Sequence, residues 1–341
     1  MRRRTRFAFG FAAAGLALAG VAAVTTSGLL AKPLALPPTP AAITVAARPI
    51  ASFRAGEDTS RSGALDFRGG LVLTSDFPGF GGISGFTLGD GNSFLAITDA
   101  GLFLAGHLDT EGDRPTGLSD VKAAALLDTQ GRVQATRGRA DVESLAVAPD
   151  AVYVGMEGVN EIWRYPRDPL GRSGTPVPAP AIRDLRRNAG LESLAYVASG
   201  PLAGALLAIG EEGATPAADL PGFIIGGRSP GAFTVAKSGP FDATDLAPGP
   251  DGELFLLERH YSPLTGVKMQ IRRFDLADVK PGARLAGEVL GTFDAGYEID
   301  NMEGLAVTRN AAGETLLTIV SDDNFSMLQR TLLLRFAVVR D

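Results

Sequence analysis

The sequence predicts an all-β protein, a β-propeller of five or six four-stranded antiparallel blades, and three observations support this prediction. A short motif recurs five times along the chain. Each copy is followed by a turn and a second apolar run of strand length, as expected for a hairpin. No long stretch shows the 3.6-residue period of an amphipathic helix. Short strands repeated at a regular interval are typical of propeller blades.

The recurring motif is a short apolar segment that carries a polar residue near its start. The copies are GGISGFTL at 81–88, DVESLAVA at 141–148, GLESLAYV at 190–197, DATDLAPG at 242–249 and NMEGLAVT at 301–308. They align at Ser84, Glu143, Glu192, Thr244 and Glu303, which are 59, 49, 52 and 59 residues apart. A spacing near 50 residues suits one propeller blade.

The second apolar run of each repeat ends in an acidic residue. These residues are Asp99, Glu157, Glu211, Glu258 and Asp322, and Asp323 follows the last of them. Turn residues at 89–92 and 250–252 join the first run to the second, as a tight hairpin requires. N-terminal strands at 43–53 and 64–75 would build a sixth blade, which a C-terminal strand could close. The repeat leaves the number of blades at five or six.

The first 31 residues predict an export signal. Four arginines form a basic flank, and an apolar, Ala-rich stretch follows them. An uncleaved N-terminal anchor is the alternative, since about 18 apolar residues are at the lower limit for spanning a bilayer. Residues 32–43 are Pro-rich and predict an extended linker, and residues 44–341 form the propeller domain. The expected location is the periplasm or outside the cell.

The composition argues against several kinds of chemistry. The chain has no cysteine, and therefore no disulfide, thiolate nucleophile or thiolate-bound zinc. It has only two histidines, His107 and His260, which argues against a histidine zinc site or a Ser-His-Asp triad. The net charge is -6, and loss of the four N-terminal arginines would bring it to about -10. Such a surface repels nucleic acid and suits cations or basic partners.

Acids that recur in register would meet in a propeller, because equivalent positions of successive blades lie on a ring around the central channel. Carboxylates at such short range repel one another and raise one another's pKa unless a cation neutralises them. A hard divalent cation, calcium or magnesium, is therefore expected at this mouth of the channel. The candidate metal ligands are Asp99, Glu143, Glu192, Glu211, Glu258, Glu303, Asp322 and Asp323.

The alternative interpretation is structural, since acids at strand ends are commonly solvated turn residues or ion-pair partners of arginine. The recurrence in register favours a functional mouth. Arginine suits an anionic group, and Arg259 and Arg330 are the candidate substrate-binding residues. The candidate catalytic residues are Glu143, Glu192, Glu303 and Asp322.

Six stretches carry a family resemblance. They are SDFPGFGGISGF at 75–86, ITDAG at 97–101, GLESLA at 190–195, LLERHYS at 256–262, DNMEGLAV at 300–307 and SDDNFSMLQRTLLLRF at 321–336. They resemble the bacterial family described as esterase-like activity of phytase, and the last two are the most specific. The resemblance covers most of the chain after about residue 65. It implies an exported β-propeller related in architecture to alkaline phytases, which are calcium-dependent phosphomonoesterases.

The leading hypothesis is a metal-dependent hydrolase of phosphate or carboxylate esters, in which a carboxylate-bound water attacks an ester polarised by calcium or magnesium. The alternative is a non-catalytic envelope propeller whose acidic mouth binds a cation or a partner. We expect a small-molecule ester or a metal ion as the partner, and no nucleic acid. Membrane contact is expected only through an uncleaved N-terminal segment, and the protein is expected to be a monomer.

Overall fold

Antiparallel sheets make up the part of the chain that can be described. The computed structural model describes residues 35–54, 56–57, 60–139, 141–186 and 190–339. The expected export signal at 1–31 lies outside the described residues. The described residues form 24 strands in five sheets, and their helical elements are 3₁₀ turns of three residues. These turns are Asp90–Asn92, Ala135–Arg137, Glu157–Val159, Pro180–Ile182 and Leu276–Asp278. Within the described ranges no helix has the length and apolarity needed to cross a bilayer.

Four strands precede the first motif, and two complete blades follow them. The early strands are β1 (Ala41–Ala42), β2 (Ala46–Ile50), β3 (Arg61–Ser62) and β4 (Leu65–Thr74). Blade 1 contains β5 (Ile83–Leu88), β6 (Ser93–Thr98), β7 (Leu102–Glu111) and β8 (Arg114–Ala125), with β1 at its outer edge. Blade 2 contains β9 (Val142–Val147), β10 (Ala151–Met156), β11 (Glu161–Pro166) and β12 (Thr175–Val177). In both blades the motif strand is innermost.

Blades 3 and 4 have the same order, from the motif strand outward. Blade 3 contains β13 (Leu191–Tyr196), β14 (Ala205–Gly210), β15 (Leu220–Gly226) and β16 (Gly231–Val235). Blade 4 contains β17 (Asp242–Pro248), β18 (Glu253–Ser262), β19 (Gly266–Asp275) and β21 (Glu288–Phe293). The short β20 (Arg284–Leu285) comes from the β19–β21 connection and pairs in parallel with β16 of blade 3.

Blade 5 combines the two ends of the chain. Its inner strands are β22 (Asn301–Arg309), β23 (Thr315–Asp322) and β24 (Thr331–Val338). The N-terminal β4 pairs with β24, β2 pairs with β4, and β3 pairs with the start of β4. The N-terminal strands considered for a sixth blade therefore complete the fifth.

The five innermost strands form a closed ring. β5 contacts β9 and β22, β13 contacts β9 and β17, and β17 contacts β22. This arrangement confirms the predicted all-β propeller and sets the number of blades at five. Blades 2 and 4 have four strands each, blades 1 and 3 gain one edge strand, and blade 5 gains β2 and β3.

The described part of the expected Pro-rich linker is joined to blade 1. β1 pairs with β8, and the Ala125 N–H donates a hydrogen bond of 2.7 Å to the carbonyl of Pro37. Leu36 packs against a small buried cluster that contains Leu102 and Leu127. Residues 35–43 are thus an edge of the propeller rather than a free linker, because their backbone pairs with β8.

An aromatic cluster fills the junction between blades 4 and 5. Phe53, which follows β2, is 1% exposed. Its ring centroid lies 4.9 Å from that of Phe293 in blade 4 and 4.8 Å from that of Phe336 in blade 5. Aromatic pairs at this range add to the free energy gained from burying apolar area. The N-terminal segment therefore stabilises ring closure through its core packing as well as through the β4–β24 ladder.

Polar side chains also join neighbouring blades near the channel. Ser144 donates to the Leu191 carbonyl at 3.2 Å, which links blade 2 to blade 3. Asp245 accepts hydrogen bonds from its neighbour Leu246 N–H at 2.8 Å and from Leu305 N–H of blade 5 at 2.7 Å. Asp245 is 2% exposed, and burial raises its pKa well above the usual value. Its carboxyl group is a buried link between blades 4 and 5.

Replacing Asp245 should weaken the junction of blades 4 and 5. Asp245→Ala should lower the free energy of unfolding by about 1–3 kcal/mol, because two buried N–H groups lose their acceptor. Asp294→Ala is the matched control, since the Asp294 carboxylate accepts a hydrogen bond from Gly296 N–H at an exposed turn. Equilibrium urea unfolding measures both changes, and an equally small loss in the two variants would contradict this role of Asp245.

Candidate functional site

Each innermost strand carries one extra residue at the same place. In β5, β9, β13, β17 and β22 the pairing with the second strand skips a single residue. An extra unpaired residue of this kind is a β-bulge, which bends the strand and re-aims a side chain. The skipped residues are Ser84, Glu143, Glu192, Thr244 and Glu303. The recurring position in the sequence is therefore a recurring bulge at one end of the channel.

The ends of the second strands form the other part of this mouth. On the second strand of each blade, one residue pairs with the innermost strand just before its bulge. In four blades the next residue of the second strand is the acid expected from the sequence, and these acids are Asp99, Glu157, Glu211 and Asp322. Blade 4 differs, because Ala243 pairs with Glu258 and Asp242 pairs with Arg259. The residue of blade 4 that is equivalent to the four acids is therefore Arg259.

The expected alignment of Glu258 with the acids of the mouth is corrected by one position. Consecutive residues of a strand point to opposite faces, so Glu258 points away from the face that carries Arg259. Glu258 is fully buried and forms a bidentate ion pair with Arg272, with N–O distances of 2.6 and 2.7 Å. Arg272 also donates to the Ala236 carbonyl and lies over the ring of Phe274. The Glu258 carboxylate is neutralised within blade 4.

Three carboxylates of blades 2 and 3 meet closely enough to share a cation. Oxygen atoms of Glu157, Glu192 and Glu211 all lie within 4.8 Å of one another. The Gly190 N–H donates to Glu157 Oε1 at 2.9 Å and so orients this carboxylate. Oxygen donors at this range suit a hard divalent cation. Glu157 was not among the metal ligands predicted from the sequence. Its alignment with Asp99 and Glu211 in the repeat was the signal that could have identified it.

Arg259 lies among the acids of the mouth. Its guanidinium is 3.3 Å from Glu211 and 3.4 Å from Glu303. Glu303 also accepts a hydrogen bond of 2.7 Å from the Asn301 amide. Arg259 Nε is buried and makes no hydrogen bond with a described residue. It lies 3.4 Å from a Glu303 oxygen and is attracted to it by charge alone. Arg259 therefore keeps a buried donor next to two carboxylates.

Asp99 and Asp322 extend the acidic cluster toward blades 1 and 5. Asp322 is 4% exposed and accepts a hydrogen bond of 2.6 Å from Asn324 N–H. Asp99 Oδ1 is buried and has no hydrogen-bond partner among the described residues. After burial, the charge of Asp322 is the main cause that raises the pKa of Asp99. The two carboxylates thus belong to one electrostatic cluster.

Burial is the main cause that raises the pKa of every acid in the cluster, and neighbouring carboxylates add to it. The pKa rises to about 6 for Asp322, to about 7 for Asp99 and Glu211, and to about 8 for Glu303. The pKa values of Glu143 and Glu192 rise well above the usual value. After burial, the next cause is the charge of Glu303 for Glu143 and the charge of Glu143 for Glu192. The positive charge of Arg259 opposes the rise at Glu211 and Glu303. The protein alone therefore retains protons in this mouth near neutral pH.

Asp323 holds the turn that follows β23. Its Oδ1 accepts hydrogen bonds from Gly82 N–H and Phe325 N–H at 3.0 and 3.1 Å, and its Oδ2 accepts one from the Thr331 hydroxyl at 2.8 Å. Asn324 and Phe325 have left-handed backbone angles, with φ of 47° and 48°. This conformation is costly for a bulky residue such as Phe325. The hydrogen bonds that the N–H groups of Asn324 and Phe325 donate to Asp322 and Asp323 offset part of that strain.

Arg330 binds a neighbouring segment. It pairs with Glu298 at 2.7 Å and with Asp300 at 3.7 Å, and it donates to the Ile299 carbonyl. These contacts tie the segment before β22 to the start of β24. Of the two arginines expected to bind substrate, the structure thus places Arg259 within the carboxylate cluster and Arg330 in contact with residues 298–300.

Five blades around a mouth of buried carboxylates define a β-propeller with a candidate cation site. The chain belongs to the Phytase-like family, described as esterase-like activity of phytase, whose family model matches residues 78–325. The family resemblance noted in the sequence is thereby confirmed.

Similar solved structures are distant from this chain. Glutaminyl cyclase of Myxococcus xanthus is 16% identical, with 76% of this chain and 92% of that chain covered and a TM-score of 0.41. A putative oxidoreductase (glucose dehydrogenase) of Thermus thermophilus is 14% identical, with coverages of 85% and 100% and a TM-score of 0.30. No curated protein matches the chain. Similarities at this level support no functional argument.

The raised pKa values predict a pH dependence of stability in the presence of a chelator. The folded protein holds more protons than the unfolded chain between the usual pKa near 4 and the folded values, which reach about 8. The free energy of unfolding should therefore fall as the pH rises through this window.

Thermal unfolding at a series of pH values measures this slope. Glu303→Gln should reduce the slope, because it removes a carboxyl group whose pKa is raised. Glu288→Gln is the control, since Glu288 is an exposed partner of Arg273 on β21. A stability that rises with pH in the same window would contradict the predicted sign.

Proposed function

We propose that the acidic mouth binds a divalent cation, calcium or magnesium, and that the protein is a metal-dependent hydrolase of small esters. The proposal is carried by Glu157, Glu192 and Glu211, whose carboxylate oxygens lie within 4.8 Å of one another. Carboxylate oxygens are the donors that both cations prefer. Asp99 Oδ1 is also buried and without a hydrogen-bond partner in the described part of the chain, but Asp99 is not one of the three acids that meet within this distance. The donor set fits a hard divalent cation.

The residues of the mouth divide into three roles. Glu157, Glu192 and Glu211 would hold the cation, which supplies polarisation of an ester oxygen when bound. Glu303 would accept the proton of the attacking water, because its pKa of about 8 lies near the range in which a general base is effective. Arg259, next to Glu303, would donate its unused N–H to the substrate oxygen on which negative charge develops.

Hydrolysis by these groups conserves all atoms and charges. The water oxygen bonds to the acyl carbon or phosphorus while Glu303 takes one water proton. The bond to the leaving oxygen then breaks, and the proton passes from Glu303 to the alcohol that leaves. Glu143 and Asp322 act on the same cluster through their charge, since each contributes to the raised pKa of a neighbouring acid.

Two features of the mouth favour an ester of low charge with an apolar part. The carboxylates outnumber the guanidinium of Arg259, so a polyanionic substrate would be repelled. Tyr261 lies two residues beyond Arg259 on β18, hence on the same face of the strand, and is 62% exposed. Phe325, in the turn after Asp323, is 49% exposed. These aromatic rings offer apolar contact beside the carboxylates.

Removal of single carboxylates tests the cation site. Protein freed of metal by a chelator should bind calcium or magnesium in isothermal titration calorimetry and should unfold at a higher temperature with the cation bound. Glu192→Gln and Glu211→Gln should each weaken binding by at least about tenfold, because each removes an anionic donor. Glu288→Gln should bind the cation as the natural protein does.

Turnover separates the hydrolase from the non-catalytic alternative. Glu303→Gln should lower kcat for a chromogenic ester by about 10²–10⁴-fold while the variant still folds and binds the cation. Cation binding without any turnover would favour a propeller that only binds a cation or partner. Turnover that continues in the presence of the chelator would contradict a role for the metal in the reaction.

The substrate preference follows from the charge and apolar surface of the mouth. Turnover of p-nitrophenyl carboxylate esters should exceed that of p-nitrophenyl phosphate, and inositol hexakisphosphate should be the poorest substrate. Tyr261→Ser should raise KM for the butyrate ester more than for the acetate ester, because it removes apolar contact. Val289→Ser, at an exposed apolar residue of β21, is the control. A preference for the phosphate ester would contradict this part of the proposal.

A further inference from the structure

A second charged site lies at the opposite end of the propeller, around Arg335 of β24. Arg335 is 3% exposed. Among the residues that the structure describes, no carboxylate oxygen lies within 4.0 Å of its guanidinium. A buried charge without a counter-ion is costly, since the interior replaces its water shell with few compensating charges. Arg335 therefore differs from Arg272, which is also deeply buried but forms a bidentate ion pair with Glu258.

The hydrogen bonds of Arg335 go to uncharged acceptors. Its Nε donates to the Thr318 hydroxyl at 3.1 Å, and one Nη donates to the backbone carbonyl of Asp113 at 3.4 Å. The Asp113 carboxylate accepts instead from the Asn310 amide at 2.8 Å. The second Nη of Arg335 has no hydrogen-bond partner among the described residues. Burial lowers the pKa of Arg335, and the charge of Asp113 only partly opposes this effect.

A cavity borders this guanidinium. Its volume is about 800 Å³, and its walls are the turns at 89–92, 112–113 and 308–311 together with Leu316 and Arg335. These turns join β5 to β6, β7 to β8 and β22 to β23, at the strand ends remote from the acidic mouth. Arg309, which also lines the cavity, adds a second guanidinium that pairs with Asp251. The turns also bring the carboxylates of Asp90 and Asp113 into the wall, so the cavity places the buried positive charge of Arg335 beside polar turns of blades 1 and 5 that include acids.

We propose that this cavity binds a small anionic ligand, through a carboxylate or phosphate group held by Arg335. The planar guanidinium suits both groups, and the two Nη atoms can donate to two oxygens of one anion. A bound anion would supply the counter-ion that the described residues do not. The site is separate from the acidic mouth, so it stands whether or not the protein hydrolyses esters.

Arg335→Gln tests the proposal because Gln keeps a side-chain amide donor for Thr318 and removes the charge. In Tris buffer with sodium chloride the variant should unfold at the same temperature as the natural protein or higher, since an unpaired buried charge is gone. Replacing the chloride with inorganic phosphate or with acetate at equal ionic strength should raise the unfolding temperature of the natural protein by a few degrees. The same change should leave Arg335→Gln unaffected.

Arg164→Gln is the matched control, because Arg164 pairs with Asp150 on the exposed side of blade 2 and should keep the full response to the anion. Calorimetric titration with phosphate and acetate then distinguishes the two anion chemistries, and Arg335→Gln should weaken the preferred one by at least about tenfold. An equal rise in the natural protein and Arg335→Gln would overturn the proposal. So would the absence of any rise in the natural protein, or a large loss of stability of Arg335→Gln in chloride, which would make Arg335 a structural residue.

Discussion

A single-residue bulge at the same place in every innermost strand is the constraint on which the site depends. A regular strand would direct alternate residues to the neighbouring blades. The bulge inserts an unpaired residue, and in three blades that residue is a glutamate, at positions 143, 192 and 303. The bulge also shifts the pairing with the second strand by one residue, and this shift determines which residue of the second strand lies at the mouth of the channel. The carboxylates of both strands therefore converge through one backbone irregularity repeated around a ring.

Converging carboxylates cost stability, and the structure shows how the fold tolerates them. Arg259 neutralises part of the charge at Glu211 and Glu303, and protons retained at raised pKa values neutralise more. The surrounding strands are held by apolar layers and by buried polar links such as Asp245 to Leu305 N–H. Unfavourable electrostatics concentrated in one rigid mouth are typical of functional sites, where stability is exchanged for affinity toward a charged ligand.

Much of the fold and part of the site could be predicted from the sequence. The repeat spacing predicted the propeller, and the glutamates aligned in the repeat, Glu143, Glu192 and Glu303, are residues that the structure places at bulges, which the sequence did not predict. The number of blades could not be predicted, because it depends on the pairing of β4 with β24, two segments at opposite ends of the chain. The sequence alignment placed Glu258 at the mouth, one residue away from the correct position. Blade 4 has Arg259 where the other blades have an acid, and a search for recurring acids cannot detect an arginine at that position.

The β4–β24 ladder has a kinetic consequence for the whole chain. Synthesis makes β4 long before its partner β24, so the fifth blade stays incomplete until the four blades between these two strands have been made. Contacts of such large sequence separation slow folding, because the intervening loop loses much entropy on closure. In the meantime β4 and β23 present open edges that can pair with other chains. Once the ladder forms, opening any one blade strains the entire circle, and the finished propeller should come apart as a unit rather than blade by blade.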